Sequence, residues 1–294
     1  MLEWIFLAAA AVTSSPPAPA IRSGDQSQQI IVEGQRGRDR AIHDFVKAVT
    51  PSRIGGQLSR YDVEACPAAV GLSQAQNLRV TERLREVAAA AGVPLAKENC
   101  GPNALVIVVD RKDDFLAALN KRYPVYFADM INGANKPPRE PGPATAWHIT
   151  GSMSSDHTPM TANHPGATGV PGTYYVSSSM DASRLIAPRI PHFLAGVVVV
   201  EATSLSGLTT TQLADYAAMR LYATSDPKKL MPSASSILGI LEAPMGTPIP
   251  LTLTSWDLSF LKALYRSDDR QFASRQRGQI EGMVKRETSA PSRD

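Results

Sequence analysis

The chain has 294 residues, of which 43% are hydrophobic and 19% charged, so it can bury the core of one large domain or two small ones. Thirty basic and 27 acidic residues leave a formal net charge of only +3. So balanced a charge gives no reason to expect nucleic acid or an anionic membrane surface as a partner of the whole chain, and we expect a soluble protein.

The first 20 residues have the pattern of an export signal. The apolar run Trp4–Val12 has the length of a signal-peptide core and is too short to span a bilayer, and an Ala-Pro-Ala cleavage pattern ends at Ala20. Glu3 and the neighbouring prolines depart from the pattern, and the alternative is a buried or disordered tail. We predict a signal peptide over 1–20, a periplasmic or secreted location, and no transmembrane segment after its removal.

Hydrophobic periodicity, capping residues and turn residues predict the elements that follow a disordered lead-in at 21–36. Capping boxes at Ser73/Gln76 and Thr209/Gln212 mark two of the helices, because each side chain can bond the other residue's backbone N–H. We predict helices over about 38–49, 73–91, 113–121, 209–223, 235–241, 255–265 and 269–286, and strands over 104–110, 146–150, 174–176 and 196–201.

This order of elements favours an α+β fold, in which a small mixed β-sheet is flanked by helices. We predict a single domain over 37–287, followed by a disordered tail at 288–294. The proline-rich segment 136–143 could instead divide two lobes, but neither half has enough strands for a sheet of its own.

Cysteine usage agrees with export. Cys66 and Cys100 are the only two cysteines, and they bracket a segment that contains a predicted helix. A disulfide between them would suit an exported protein, whereas the alternative is two buried free thiols. Two isolated cysteines cannot form a four-cysteine zinc site.

The sequence contains none of the common catalytic motifs. Gly-x-Ser-x-Gly, a phosphate-binding P-loop, Gly-x-Gly-x-x-Gly after a strand and His-Glu-x-x-His are all absent. The segment 34–38 (GQRGR) superficially resembles a phosphate loop, but no buried strand precedes it, and a basic entry to the first helix explains it. We therefore predict no cofactor.

Three of the five histidines lie close together in the sequence. His148, His157 and His164 fall within 17 residues, with Asp156 among them. Imidazole and carboxylate groups could bind zinc or act as acid and base. Their spacing matches no known motif, and the alternative is a set of exposed polar loop residues.

The predicted helix 209–223 carries two polar residues that its apolar pattern does not explain, Asp215 and Tyr216. A carboxylate on so apolar a helix needs a partner, for which Arg184, Arg189 and Arg220 are candidates. The alternative is an active-site acid.

Several short motifs resemble uncharacterised secreted proteins of alphaproteobacteria. They lie at 56–61 (GQLSRY), 66–72 (CPAAVGL), 100–103 (CGPN) and 213–219 (LADYAAM), and the helix at 256–265 also fits. The resemblance spans about residues 30–270, and it implies no activity.

More distantly, the strand 196–201 and the helix after it are similar to the core of zincin-like metallopeptidases. That family carries two zinc-binding histidines on the central helix. Gln212 and Tyr216 stand in their places here, so the similarity implies a degenerate site.

We therefore expect a binding or envelope-associated factor without a catalytic centre, of unknown partner, rather than an enzyme. The alternative is a metallopeptidase-like hydrolase whose site combines the 148–164 loop with the 209–223 helix. Its catalytic candidates are Asp215, Tyr216 and His157, and its metal-binding candidates are His148, His157 and His164.

Overall fold

A computed structural model of the chain describes residues 25–51, 57–127, 136–154, 157, 161–162, 174–176, 190–230, 236–244 and 246–289, with the backbone alone for 25–35, 161–162 and 174–176. The predicted signal peptide lies outside the described residues. The chain forms two compact units, Met1–Arg38 and Asp39–Asp294. In the first unit, residues 25–38 are helical. The second unit contains all the described strands and the hydrophobic core.

The described residues form six α-helices and seven β-strands. The helices are α1 (Asp25–Val49), α2 (Gln74–Ala91), α3 (Lys112–Arg122), α4 (Thr210–Leu221), α5 (Ser255–Arg266) and α6 (Ala273–Ser289). The strands are β1 (Arg60–Tyr61), β2 (Pro67–Val70), β3 (Ala104–Val109), β4 (Ala144–Met153), β5 (Thr161–Ala162), β6 (Tyr174–Val176) and β7 (Ile190–Glu201).

Five of the strands form one mixed sheet with β7 at its centre. One edge of β7 pairs antiparallel with β4. On its other edge β7 pairs in parallel with β1, through residues 192–193, and with β3, through 196–201. β2 lies parallel to β3, and α2 connects the two strands. The structure thus confirms the predicted α+β fold with a mixed sheet, while β5 and β6 pair separately.

The hydrophobic core packs one face of this sheet against helices. Along β3, Ala104, Val106 and Val108 are buried and alternate with more accessible side chains. The ten residues from Gln212 to Leu221 of α4 are all buried, which explains why small alanines alternate there with large side chains.

Both predicted capping boxes are present. Ser73 and Gln76 cap α2, which ends at Gly92 in the left-handed conformation, and Thr209 and Gln212 cap α4. The Gln212 amide also donates to the Pro250 carbonyl at 2.8 Å, so its role in the fold is structural.

Several predicted boundaries were wrong. α1 begins at Asp25, so much of the lead-in predicted to be disordered is helical. Residues 25–33 contain no glycine or proline that would break a helix. α5 begins at Ser255, as predicted, and its cap is Thr254, because Asp257 completes a capping box with it. α6 continues to Ser289, two residues into the predicted disordered tail.

Other elements differ in length. β7 begins six residues earlier than predicted, and Pro191 is tolerated because it is only the second residue of the strand. α6 begins at Ala273 instead of Asp269, because the Asp268 carboxylate accepts from the Arg270 N–H in a local turn. Within the predicted helix 235–241, a short 3₁₀ turn covers Ile237–Gly239.

The predicted disulfide between Cys66 and Cys100 is confirmed. It joins the residue before β2 to the loop before β3, where Asn103 makes further connections. The Asn103 side chain accepts from the Cys66 N–H at 2.7 Å and donates to the Leu194 carbonyl at 3.3 Å. The disulfide therefore lies where β2, β3 and β7 are already connected by hydrogen bonds.

We predict that the double variant Cys66→Ala/Cys100→Ala is less stable by about 3–4 kcal/mol, because removing a crosslink restores the entropy of the unfolded chain. The crosslinked residues are 34 apart in the sequence. Denaturant unfolding of the variant and the oxidised wild type measures the difference. An unchanged unfolding midpoint would contradict the prediction.

Candidate functional site

His157 lies between two carboxylates contributed by distant parts of the chain. Asp62 follows β1 directly, His157 comes four residues after β4, and Asp269 lies between α5 and α6. His157 Nδ1 is 3.6 Å from Asp62 Oδ2, and Nε2 is 3.7 Å from Asp269 Oδ1. Three elements of the fold thus bring one imidazole and two carboxylates together, and we call these three residues the His157 cluster.

The spacing in the His157 cluster is too long for direct hydrogen bonds between the imidazole and the carboxylates, so the three residues are candidate ligands for a metal ion. Both distances from the imidazole exceed the usual range for hydrogen bonds. One candidate ligand atom from each residue lies within 4.8 Å of the other two. Zinc bonds of about 2.0–2.1 Å place tetrahedral ligand atoms roughly 3.3 Å apart, so small side-chain movements would complete such a site.

Arg60 orients one of the two carboxylates. Its Nη2 donates to Asp269 Oδ2 at 2.7 Å, and its Nη1 donates to the carbonyls of Leu264 and Ser267, both at 2.8 Å. The guanidinium therefore joins β1 to the end of α5 and occupies one oxygen of Asp269. The other oxygen, Oδ1, is the one that faces His157.

The backbone of His157 adopts a conformation that is uncommon for a residue with a side chain. Its φ is +63°, in the left-handed region, and its N–H donates to the Ser154 carbonyl at 3.0 Å. Non-glycine residues in this region occur frequently in functional sites, where the surrounding structure compensates for the strain. The turn presents the partly exposed imidazole to both carboxylates.

A second imidazole lies beside Asp62. His192 is the residue of β7 that pairs with Arg60 of β1, and it is buried. Burial lowers the pKa of His192, while the negative charge of Asp62 acts in the opposite direction. A side chain at Gly151 would come within 2.8 Å of the His192 ring, so this close approach requires glycine.

Asp215 has structural partners that account for its carboxylate. It is fully buried and accepts from Arg83 Nε at 2.7 Å, from the Thr252 hydroxyl at 2.6 Å and from the Leu253 N–H at 2.7 Å. We predicted an ion pair with Arg184, Arg189 or Arg220, but the partner is Arg83 on α2.

The prediction of the partner was wrong because α2 packs along α4 and brings Arg83 to Asp215, whereas Arg220 lies in the last turn of α4 and pairs with another residue. The Arg220 guanidinium donates to Glu140 at 2.5 Å. Arg184 and Arg189 lie outside the described residues.

Tyr216 lies close to the Arg220–Glu140 pair. It is buried, which raises its pKa to about 12, and the nearby Arg220 opposes this effect. The same proline-rich segment is also held by Lys112, whose ammonium donates to the carbonyls of Glu140 and Gly142, both at 2.6 Å. Tyr216 thus lies among contacts that fasten the segment 136–143 to the fold.

His148 contacts α4 rather than His157. Its ring stacks on Phe193 with centroids 3.8 Å apart, and Nε2 is 2.9 Å from the Leu221 carbonyl. Since a carbonyl only accepts, Nε2 carries the proton of a neutral imidazole. Burial, with a smaller contribution from the positive charge of Arg220, lowers the pKa of His148 to about 4.

Among the candidates named from the sequence, only His157 therefore lies in the cluster. His148 is engaged with Leu221, and His164 lies outside the described residues. Sequence reasoning missed Asp62 and Asp269. Asp62 gave no usable signal, because the two-residue strand that it follows was not predicted from the sequence.

Comparisons with protein-family models, with curated proteins and with solved structures find no match to this chain. Within the described segments, no helix combines the length and the apolar composition needed to cross a bilayer.

We predict that Asp215→Asn destabilises the protein by about 2–4 kcal/mol, because it removes the charge of a buried carboxylate from its partly exposed partner Arg83 and places an amide against several donors. Glu86→Gln is the matched control, since Glu86 binds the same Arg83 at 3.0 Å but is 65% exposed. The control should cost less than about 1 kcal/mol. Chemical denaturation of both variants compares the two effects, and equal losses would contradict the structural role of Asp215.

We predict that stability falls as the pH is lowered from 6.5 to 4, in part because of His148. The unfolded state takes up a proton near pH 6.5, whereas the folded imidazole resists protonation until about pH 4. His148→Gln retains a donor for Leu221 but does not titrate. Its unfolding free energy should fall by roughly 2–3 kcal/mol less than that of the wild type between pH 7 and 4.5. Parallel pH profiles for both proteins would refute this contribution.

Proposed function

We propose that the chain is an exported factor that binds a divalent metal ion of the zinc class through Asp62, His157 and Asp269. The observation that carries this proposal is the position of the His157 imidazole, 3.6 Å and 3.7 Å from carboxylate oxygens on two other elements. Neither oxygen is within hydrogen-bond distance of the imidazole, and one candidate ligand atom from each residue lies within 4.8 Å of the others.

The donor set favours zinc or another transition metal over calcium or magnesium. Imidazole suits Zn²⁺, Cu²⁺, Fe²⁺ and Ni²⁺, whereas Ca²⁺ and Mg²⁺ prefer oxygen ligands. Arg60 supports such a site by fixing Asp269 through one oxygen and leaving the other directed at His157. Ligand-orienting contacts of this kind stabilise metal sites. Three protein ligands leave a coordination position for water or for a second molecule.

Export is the second part of the proposal. The signal-like pattern over 1–20 and the Cys66–Cys100 disulfide both support it, because structural disulfides persist mainly outside the cytoplasm. The periplasm or the extracellular space is therefore the proposed location.

Binding is favoured here over the metallopeptidase-like alternative. That alternative needs the 148–164 loop to share a site with Asp215 or Tyr216 of α4. Asp215 instead bonds with Arg83, Thr252 and Leu253, while His157 faces Asp62 and Asp269. The residues that α4 would contribute are engaged elsewhere in the fold.

Isothermal titration of the purified full chain with ZnCl₂ tests the proposal. We expect one Zn²⁺ per chain for the wild type, and at least roughly 10-fold weaker binding for His157→Ala, since it removes the only imidazole of the set.

His43→Ala is the matched control. His43 is another exposed histidine beside a carboxylate, at 2.9 Å from Glu281, but it is not part of the His157 cluster. Its removal should leave the stoichiometry and affinity unchanged. No zinc binding by the wild type, or equal binding by His157→Ala, would overturn the metal site.

A further inference from the structure

A patch of exposed aromatic and basic side chains lies at the end of α3 and just beyond it. Six large hydrophobic residues are exposed in the described parts of the chain, and three of them fall within four consecutive positions. These are Tyr123, Val125 and Tyr126, with exposures of 44%, 41% and 48%. Lys121 and Arg122, which precede them, are also exposed. We call these five residues the 121–126 patch.

Contacts with strand β4 keep the side chains of this patch on the surface. Residues Pro124–Phe127 form a 3₁₀ turn, in which Phe127 is buried and packs on Trp147 of β4 with ring centroids 5.1 Å apart. Trp147 Nε1 donates to the Tyr126 carbonyl at 2.9 Å. The anchoring of the turn to the sheet explains why neighbouring aromatic rings remain exposed instead of folding into the core.

The patch is positively charged as well as aromatic. Arg122 lies over the Tyr123 ring, 5.5 Å from its centroid, and the Tyr123 and Tyr126 rings are 5.8 Å apart. The acidic residues of α3, Asp113 and Asp114, lie in its first turn, at the opposite end of the helix. Residues 121–126 therefore combine two positive charges with three apolar or aromatic side chains and contain no acid.

We propose that the 121–126 patch docks on the surface of an anionic phospholipid bilayer. Tyrosine rings favour the boundary between headgroups and hydrocarbon, and lysine and arginine next to them are attracted to anionic lipids. A stable protein partner would engage about 20–30 residues on each side, far more than this patch offers, whereas a bilayer needs no shaped counterpart. The net charge of +3 is too small to explain such binding without a local patch.

Site-specific fluorescence of the full chain tests the proposal. Both cysteines are in the disulfide, so Val125→Cys provides one thiol for an environment-sensitive label. Leu78→Cys is the matched control, because Leu78 is also an exposed apolar residue, 58% accessible, on α2. Vesicles of phosphatidylcholine and phosphatidylglycerol at a 3:1 ratio should shift the emission of the label at 125 to the blue, while the label at 78 stays unchanged.

Charge reversal provides the second measurement. Lys121→Glu/Arg122→Glu should lower the partition coefficient on these vesicles by roughly 10-fold or more. Lys228→Glu/Lys229→Glu, an exposed adjacent pair elsewhere, should not lower it comparably. All variants share the same apolar N-terminus, so its contribution to vesicle binding is the same on both sides of each comparison. Equal shifts at 78 and 125, no shift at 125, or equal effects of the two charge reversals would overturn the proposal.

Discussion

The packing of helix α4 against α2 depends on the buried carboxylate of Asp215. Asp215 of α4 is inaccessible to solvent, and its carboxylate accepts from Arg83 of α2 and from Thr252 and Leu253, just before α5. Burying an ionised carboxylate without partners would cost several kcal/mol, so these bonds are a condition for the fold rather than an addition to it. They also fix the position of α4, whose residues from Gln212 to Leu221 are all buried.

The position of the His157 cluster follows from the sheet. Because β4 occupies one edge of β7, the other edge is shared by β1 and β3, placed end to end. This arrangement brings the end of β1, and with it Asp62, next to His192 of β7. Arg60 then donates hydrogen bonds to the end of α5 and to Asp269. A two-residue strand therefore positions both carboxylates of the cluster, one by covalent linkage and the other through Arg60.

Several polar groups that the structure describes inside the second unit form structural contacts, unlike the imidazole of the proposed site. Lys112 and Arg220 fasten the proline-rich segment before β4, and His148 donates to the last turn of α4. The His157 cluster differs from these contacts because its imidazole lies beyond hydrogen-bond distance of both carboxylates. This difference in geometry, rather than residue type, is what supports the proposed metal site.

The sequence by itself determined the features that depend on neighbouring residues or on regular spacing. These are the capping boxes of α2 and α4, the existence of strand β3, the α+β class and the pairing of the only two cysteines. Tertiary structure decided which distant residues meet: Arg83 with Asp215, and His157 with Asp62 and Asp269. Of that cluster only His157 could be named in advance. The physical reason is that such contacts depend on strand order and register, and a register shift of one residue turns every side chain of a strand to the opposite face.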